Sequence, residues 1–187
     1  MTRQAVIIGD LQAGITSSYR FAAELVPHAA ALAAAARERG DLVVFVRTQF
    51  RASGTDVSSR NRAVKAIFEM GGDYHEGSAG TELDPGLGRQ PGDVVVTKRR
   101  ASAFTGTDLD MVLRSGGIES VSVAGVATSA MVEATVYDAA DRDYAVRVVS
   151  DVCADPVPGV HEFFVGTVFP SRGVEVITST GTSRGLS

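Results

Sequence analysis

Six short apolar runs punctuate the chain: Gln4–Gly9 (QAVIIG), Asp41–Thr48 (DLVVFVRT), Asp93–Thr97 (DVVVT), Val121–Ala124 (VSVA), Tyr144–Val149 (YAVRVV) and Gly173–Ile177 (GVEVI). Most are continuous rather than alternating and rich in β-branched residues, the pattern of strands covered on both faces of a parallel sheet. Helical segments separate them. Pro27 suits the first turn of a helix running to Arg39, with Gly40 as its C′ residue. Asp108–Ser115 is a short helix closed by Gly116-Gly117, an alanine-rich helix runs from the break at Val126–Ser129 to about Arg142, and His161–Pro170 is the last. Strands alternating with helices predict a doubly wound three-layer α/β/α sandwich with a six-stranded, mainly parallel sheet.

Two stretches fall outside this alternation. Arg51–Leu87 is polar and glycine-rich, with Val64–Met70 as its only strongly apolar patch. Such an insertion is expected to cover substrate or contact a second subunit. The polar stretch Thr178–Ser187 reads as a frayed tail.

Composition narrows the picture. A length of 187 residues with 44% hydrophobic and 21% charged residues fits one globular domain, residues 1–187. The formal net charge of −4 and scattered arginines provide no basic stripe, so nucleic acid is not an expected partner. No apolar run approaches the roughly 18 residues of a membrane span, and the run after Met1–Gln4 is too short for a signal sequence, so a cytoplasmic protein is expected. The single cysteine, Cys153, excludes an internal disulfide, and three well-separated histidines give no zinc spacing.

The chemistry converges on strand ends. Asp10 follows the first strand, Lys98 the third, and the turn Gly125–Met131 the fourth. Right-handed crossovers would bring these three strands near the middle of one sheet, with their carboxyl ends on one edge, where open α/β sheets bind ligands. An Asp beside a Lys there forms a pair able to pass a proton to or from a substrate. The strand–turn–helix junction after Val121–Ala124 presents unpaired backbone N–H groups to an anion or a developing oxyanion.

Gly125–Tyr144 (GVATSAMVEATVYDAADRDY), Ala5–Gln12 (AVIIGDLQ), Val94–Asp108 (VVVTKRRASAFTGTD) and Gly80–Leu83 (GTEL) together resemble the isochorismatase-like, or cysteine hydrolase, superfamily over most of the chain. The resemblance implies a cofactor-independent hydrolase and a homo-oligomer. It also implies an Asp–Lys–Cys triad, in which Asp10 and Lys98 supply two members and Met131 stands where most relatives carry the nucleophilic cysteine. The turn residues Val126, Ala127, Ala130 and Met131 would hold the oxyanion, with a non-proline cis bond between Val126 and Ala127. Nicotinamidase relatives bind a metal through an Asp/His cluster after the second strand; Thr48–Arg51 lacks it, and no catalytic metal is expected.

Met131 cannot act as the nucleophile, because a thioether has no proton to lose and carries no negative charge. Ser129 is read as an N-cap in preference to a substitute nucleophile, and Cys153, after the fifth strand, as a structural thiol. Isochorismatases proper also lack the cysteine and cleave a vinyl ether with the Asp as general acid, although they generally place glycine where Met131 stands. The expected activity is therefore Asp10/Lys98 hydrolysis of a small carboxylated molecule. The alternatives are a cysteine amidase with a substituted nucleophile position and a non-catalytic small-molecule-binding member. Gln49, Phe50 and Phe104 are the expected substrate-binding residues, with Tyr19 as a further wall and Arg51, Arg60, Arg99 and Arg100 as weaker candidates for a carboxylate.

Overall fold

A computed structural model describes residues 3–181. Its sheet has six strands, all parallel: β1 (Arg3–Gly9), β2 (Leu42–Thr48), β3 (Val94–Lys98), β4 (Ile118–Val126), β5 (Ala145–Ala154) and β6 (Glu175–Ile177), in the order β3-β2-β1-β4-β5-β6. The helices are α1 (Ala13–Ser18), α2 (Arg20–Ala23), α3 (Val26–Arg39), α4 (Arg62–Glu69), α5 (Leu109–Ser115), α6 (Glu133–Ala140), α7 (Val160–Phe163) and α8 (Phe169–Ser171). Wider π turns, Thr128–Val132 and Phe164–Val168, lead into α6 and join α7 to α8. This is the doubly wound α/β fold expected from the alternation.

The local reasons follow the sequence closely. In α3, Ala29, Ala33 and Ala36 are fully buried, so a stripe of methyl groups lets the helix lie close to the sheet, and Gly40 ends it in the left-handed region. Arg37 on that helix reaches Asp93, the residue before β3, with its Nη2 2.6 Å from Oδ2. Several boundaries move. β4 extends three residues before and two beyond Val121–Ala124, and β5 runs on through Ala154, so Cys153 lies inside a strand and 5% exposed rather than after it.

One positional expectation is corrected. β3 does not lie near the middle of the sheet; it is an edge strand, separated from β1 by β2. Val94, Val95 and Thr97 are accordingly only half-buried. Strands run outward in opposite directions from the β1–β4 pair, which makes that pair the switch point where such sheets bind ligands. There Gly9 is paired with Gly125, and a side chain on Gly125, whose φ is 118°, would sit 2.1 Å from the Gly9 carbonyl oxygen. Two glycines let the central strands close beside the site.

The insertion after β2 is partly ordered into α4 and three single 3₁₀ turns. Of the predicted tail, Ser179 is held by the Asp151 carboxylate through its N–H (2.7 Å) and hydroxyl (2.6 Å), and residues 182–187 lie outside the described residues.

Candidate active site

The loop leaving β1 is shaped by two side chains. Asp10 adopts a left-handed backbone (φ 59°) and donates its N–H to Val46 O at 2.9 Å. Gln12, fully buried, makes a reciprocal pair with the backbone of Thr48: its Nε2 donates to Thr48 O (3.0 Å) and its Oε1 accepts from Thr48 N–H (2.7 Å). The same Nε2 donates to Gly80 O (3.1 Å), tying the Gly80–Leu83 segment to the strand ends. Every hydrogen-bonding group of this amide is used inside the protein, which locks the ends of β1 and β2 together.

Lys98 and Thr48 are partners in the β2–β3 register, so the lysine side chain reaches across the end of β2 toward Asp10. Lys98 Nζ lies 2.9 Å from Asp10 Oδ2, donates to Thr48 Oγ1 at 2.7 Å and to Arg100 O at 3.2 Å, and the Thr48 hydroxyl donates to Asp10 Oδ1 at 3.1 Å. Asp10 is 8% and Lys98 4% exposed. Burial pushes the Asp10 carboxyl above its ordinary range, and the Lys98 ammonium and the two hydrogen bonds oppose that rise without cancelling it. A carboxyl held this way is a proton donor or acceptor with a fixed direction. Thr48 is the member that sequence reasoning missed: a threonine closing a strand carries no signal until the register sets it between Asp10 and Lys98.

Asp10, Thr48 and Lys98 line one cavity of about 220 Å³. That is below the roughly 300–1,000 Å³ of pockets that enclose drug-sized ligands, so the molecule it takes is small. Phe50, Ile15 and Met131 add apolar surface. The insertion supplies Val64 and Ile67, one helical turn apart on α4, together with Tyr74. α4 is started by Asn61, whose Oδ1 accepts from Val64 N–H at 3.1 Å. Val64 and Ile67 belong to the apolar patch legible in the sequence; Tyr74, between glycines, had no comparable signal.

The turn after β4 carries the second half of the site. Val126 and Ala127 are joined by a cis peptide bond. Met131 is 1% exposed and folds back over β1, where a Cβ on Gly9 would meet its Cε at 2.1 Å; Thr135 Oγ1 donates to its Sδ at 3.5 Å. Of the four residues expected to hold an oxyanion, Ala130 and Met131 reach the cavity wall, whereas Val126 and Ala127 do not. Val126, as the last residue of β4, is packed in the core, and the Ala127 carbonyl accepts from the N–H groups of Ala130 (3.1 Å) and Val132 (3.2 Å). Ser129 makes no side-chain cap; its backbone N–H donates to Asp155 Oδ2 at 2.8 Å.

Three expected wall residues lie elsewhere. Gln49 falls between Thr48 and Phe50, so strand alternation turns it from the cavity, and its N–H continues the ladder to Lys98 O at 3.1 Å. Phe104 is drawn beneath α6, because Ala103 N–H is held by Thr135 Oγ1 at 3.0 Å; its ring packs 6.0 Å from that of Tyr144 with the Arg142 guanidinium 4.9 Å above it. Tyr19 packs on Phe21, ring centroids 5.6 Å apart. Among the arginines, Arg99 and Arg100 line the cavity. Arg99 Nε lies 2.6 Å and Arg51 Nη1 3.3 Å from Asp56 Oδ2, and Arg60 is exposed and does not line the cavity. Burial pushes the Cys153 thiol up to about 12, which leaves it a protonated core group.

Comparison with known proteins agrees with this architecture. A family model described as "Isochorismatase domain" matches residues 4–181. An uncharacterized isochorismatase family protein of Bacillus subtilis is 32% identical over 171 residues, covering 91% of this chain and 88% of its own. A protein named "Probable inactive nicotinamidase" from Arabidopsis thaliana is 31% identical over 183 residues, covering 94% and 91%. The crystal structure of an isochorismatase family protein from Desulfovibrio vulgaris superposes with a TM-score of 0.85 at 32% identity, covering 96% of each chain.

Proposed function

This chain belongs to the isochorismatase family, a family of hydrolases, and from that premise we propose that it hydrolyses a small carboxylated molecule at a vinyl-ether bond, by acid–base chemistry at Asp10 and Lys98 and without a covalent intermediate. The observation that carries the reading is the Asp10–Lys98 pair, 2.9 Å apart in the wall of a cavity to which the turn contributes Ala130 and Met131. The proton-handling half is complete, and the position from which a nucleophile would attack holds a group that cannot form an acyl bond.

The chemistry follows from the pair. Asp10, favoured in its acid form by burial, delivers its proton to the terminal carbon of the enol ether, and the C=C electrons form the new C–H bond. The resulting oxocarbenium ion adds water, which returns a proton to the Asp10 carboxylate. The hemiketal hydroxyl then gives up its proton as the C=O bond forms and the C–O bond to the alkoxy group breaks, and that proton passes to the departing oxygen, releasing an alcohol and a keto acid. Lys98 and Thr48 hold the carboxyl in place and stabilise its charge once the proton has gone.

The test is turnover of isochorismate, 2-methoxyacrylate and a panel of small amides, with Asp10→Asn and Met131→Cys alongside. Release of pyruvate from an enol ether, lost in Asp10→Asn, is the expected result; enol ethers left intact by the natural protein would sink the reading. A second reading is favoured by the place of Met131 on the turn and by the nicotinamidase name of one relative: an amidase whose nucleophile position is substituted. It requires amide cleavage to appear in Met131→Cys, and with it the thiolate that Asp10 would generate.

A further inference from the structure

The charges around the cavity do not balance. Lys98 is taken up by Asp10 at 2.9 Å, and Arg99 is matched by Asp56 at 2.6 Å. Arg100, also in the cavity wall and half-buried, donates its Nη1 to two backbone carbonyls, that of Asp56 at 3.1 Å and that of Arg99. No carboxylate among the described residues pairs with it. An arginine in the wall of a partly apolar cavity, with no carboxylate to pair with, favours an anion there.

Tyr74 supplies a second, independent sign. It is 7% exposed and lines the same cavity, yet its hydroxyl makes no hydrogen bond to any other described residue. The hydroxyl opens on the cavity with no acceptor among the described residues, so it is free to donate to an acceptor on a ligand. Burial, with the Tyr19, Asp10 and Asp73 charges adding to it, pushes the Tyr74 hydroxyl up to about 12, so it remains a donor through the whole working range of pH. Its ring packs with Phe50 and Val64, which fixes the direction in which the hydroxyl is offered.

We infer that Arg100 and the Tyr74 hydroxyl together form the subsite that holds the carboxylate of the substrate. The inference rests on the reading of this cavity as the active site and names the part of it that selects for an acid. It also has a consequence for the chemistry. An anion bound beside Asp10 disfavours a second negative charge there and holds Asp10 in the acid form that protonation of an enol carbon requires. A neutral substrate of the same shape lacks that effect.

The experiment uses two unreactive probes of the same shape, 2-methoxypropanoate and its neutral amide 2-methoxypropanamide, titrated calorimetrically into the natural protein and into Tyr74→Phe, Arg100→Gln and Arg100→Lys. The natural protein should bind the carboxylate at least about tenfold tighter than the amide. Tyr74→Phe and Arg100→Gln should each weaken the carboxylate by about tenfold or more and leave the amide within about twofold, while Arg100→Lys recovers part of the loss. Equal affinity for the two probes, no binding of either at millimolar concentration, or an equal loss of both in the variants would overturn the subsite. Hydrolysis of 2-methoxyacrylate by the same proteins separates this inference from the reaction. Carboxylate selectivity without turnover removes the vinyl-ether reading and leaves the subsite standing. Turnover with KM unchanged in Tyr74→Phe and Arg100→Gln removes the subsite alone.

Discussion

Strand β3 has a carboxylate–cation pair at each end, and the two behave oppositely. Asp93, just before the strand, meets Arg37 at 2.6 Å; Lys98, its last residue, meets Asp10 at 2.9 Å. Burial raises both carboxyls. At Asp93 it is outweighed by the Arg37 hydrogen bonds and the Gln90 N–H, and the group ends below the ordinary carboxylate range. At Asp10 burial weighs more than one ammonium and one hydroxyl can offset, so the group ends above that range. Distance alone does not separate a structural pair from a working one; the number and geometry of the donors do. Arg37 grips both oxygens of Asp93 like a fork, whereas Lys98 spreads its donors over Asp10, Thr48 and the Arg100 carbonyl.

The largest expected effect tests that contrast directly. Asp10→Asn should lower kcat by about 10²–10⁴, the range a general acid supplies, while Asp93→Asn should leave kcat within about twofold. Stability should separate the other way for Asp93: its loss strands Arg37, whose side chain is 25% exposed, and should cost about 1–3 kcal/mol in urea denaturation. Steady-state rates and denaturation midpoints on the two variants check this. A large kcat loss in Asp93→Asn with a normal midpoint would mean that both ends of β3 serve the reaction.

A smaller effect sharpens the account of the working pair. Thr48→Val keeps the side-chain volume and removes the hydroxyl that donates to Asp10 and accepts from Lys98. With one lowering influence gone, Asp10 should rise further. The pH–rate profile should therefore move to higher pH on its acid-dependent limb, with kcat/KM down about tenfold. An unchanged profile would assign Thr48 to packing alone.

Asp10, Lys98 and the turn were legible because each follows an apolar run at a strand end, where an open parallel sheet collects its chemistry. The strand order was less so: nothing in DVVVT marks it as an edge, and its three valines read as fully covered until the topology leaves two of them half-buried. Phe104 was misplaced because an aromatic six residues beyond Lys98 can lie on either side of the strand end, and the Thr135 hydroxyl draws its segment under α6. Gln49 fails by strand parity, which the boundary at Thr48 would have supplied. Thr48 and Tyr74 were silent because their importance lies in what the fold brings to them: for the first Asp10, 38 residues away, and for the second the cavity.

The smallest expected effect is the pair of opposite slopes in stability against pH. Asp93 has a folded-state pKa below its unfolded value, so between the two the unfolded chain binds more protons; its contribution is present above the unfolded carboxylate pKa and lost as the pH falls toward the folded value. Asp10 has a folded-state pKa above its unfolded value, so there the folded chain binds more protons, and stability declines as pH rises from the unfolded pKa through the folded one. Neither group can contribute more than about 1.4 kcal/mol per pH unit. Urea midpoints from pH 3 to 8 on the natural protein, Asp10→Asn and Asp93→Asn isolate the two terms by difference. Subtracting Asp93→Asn should reveal a rise with pH at the acid end, and subtracting Asp10→Asn a fall with pH above it. If the Asp10 difference also rises with pH, Lys98 outweighs burial and Asp10 is an ordinary structural carboxylate, the same in kind as Asp93.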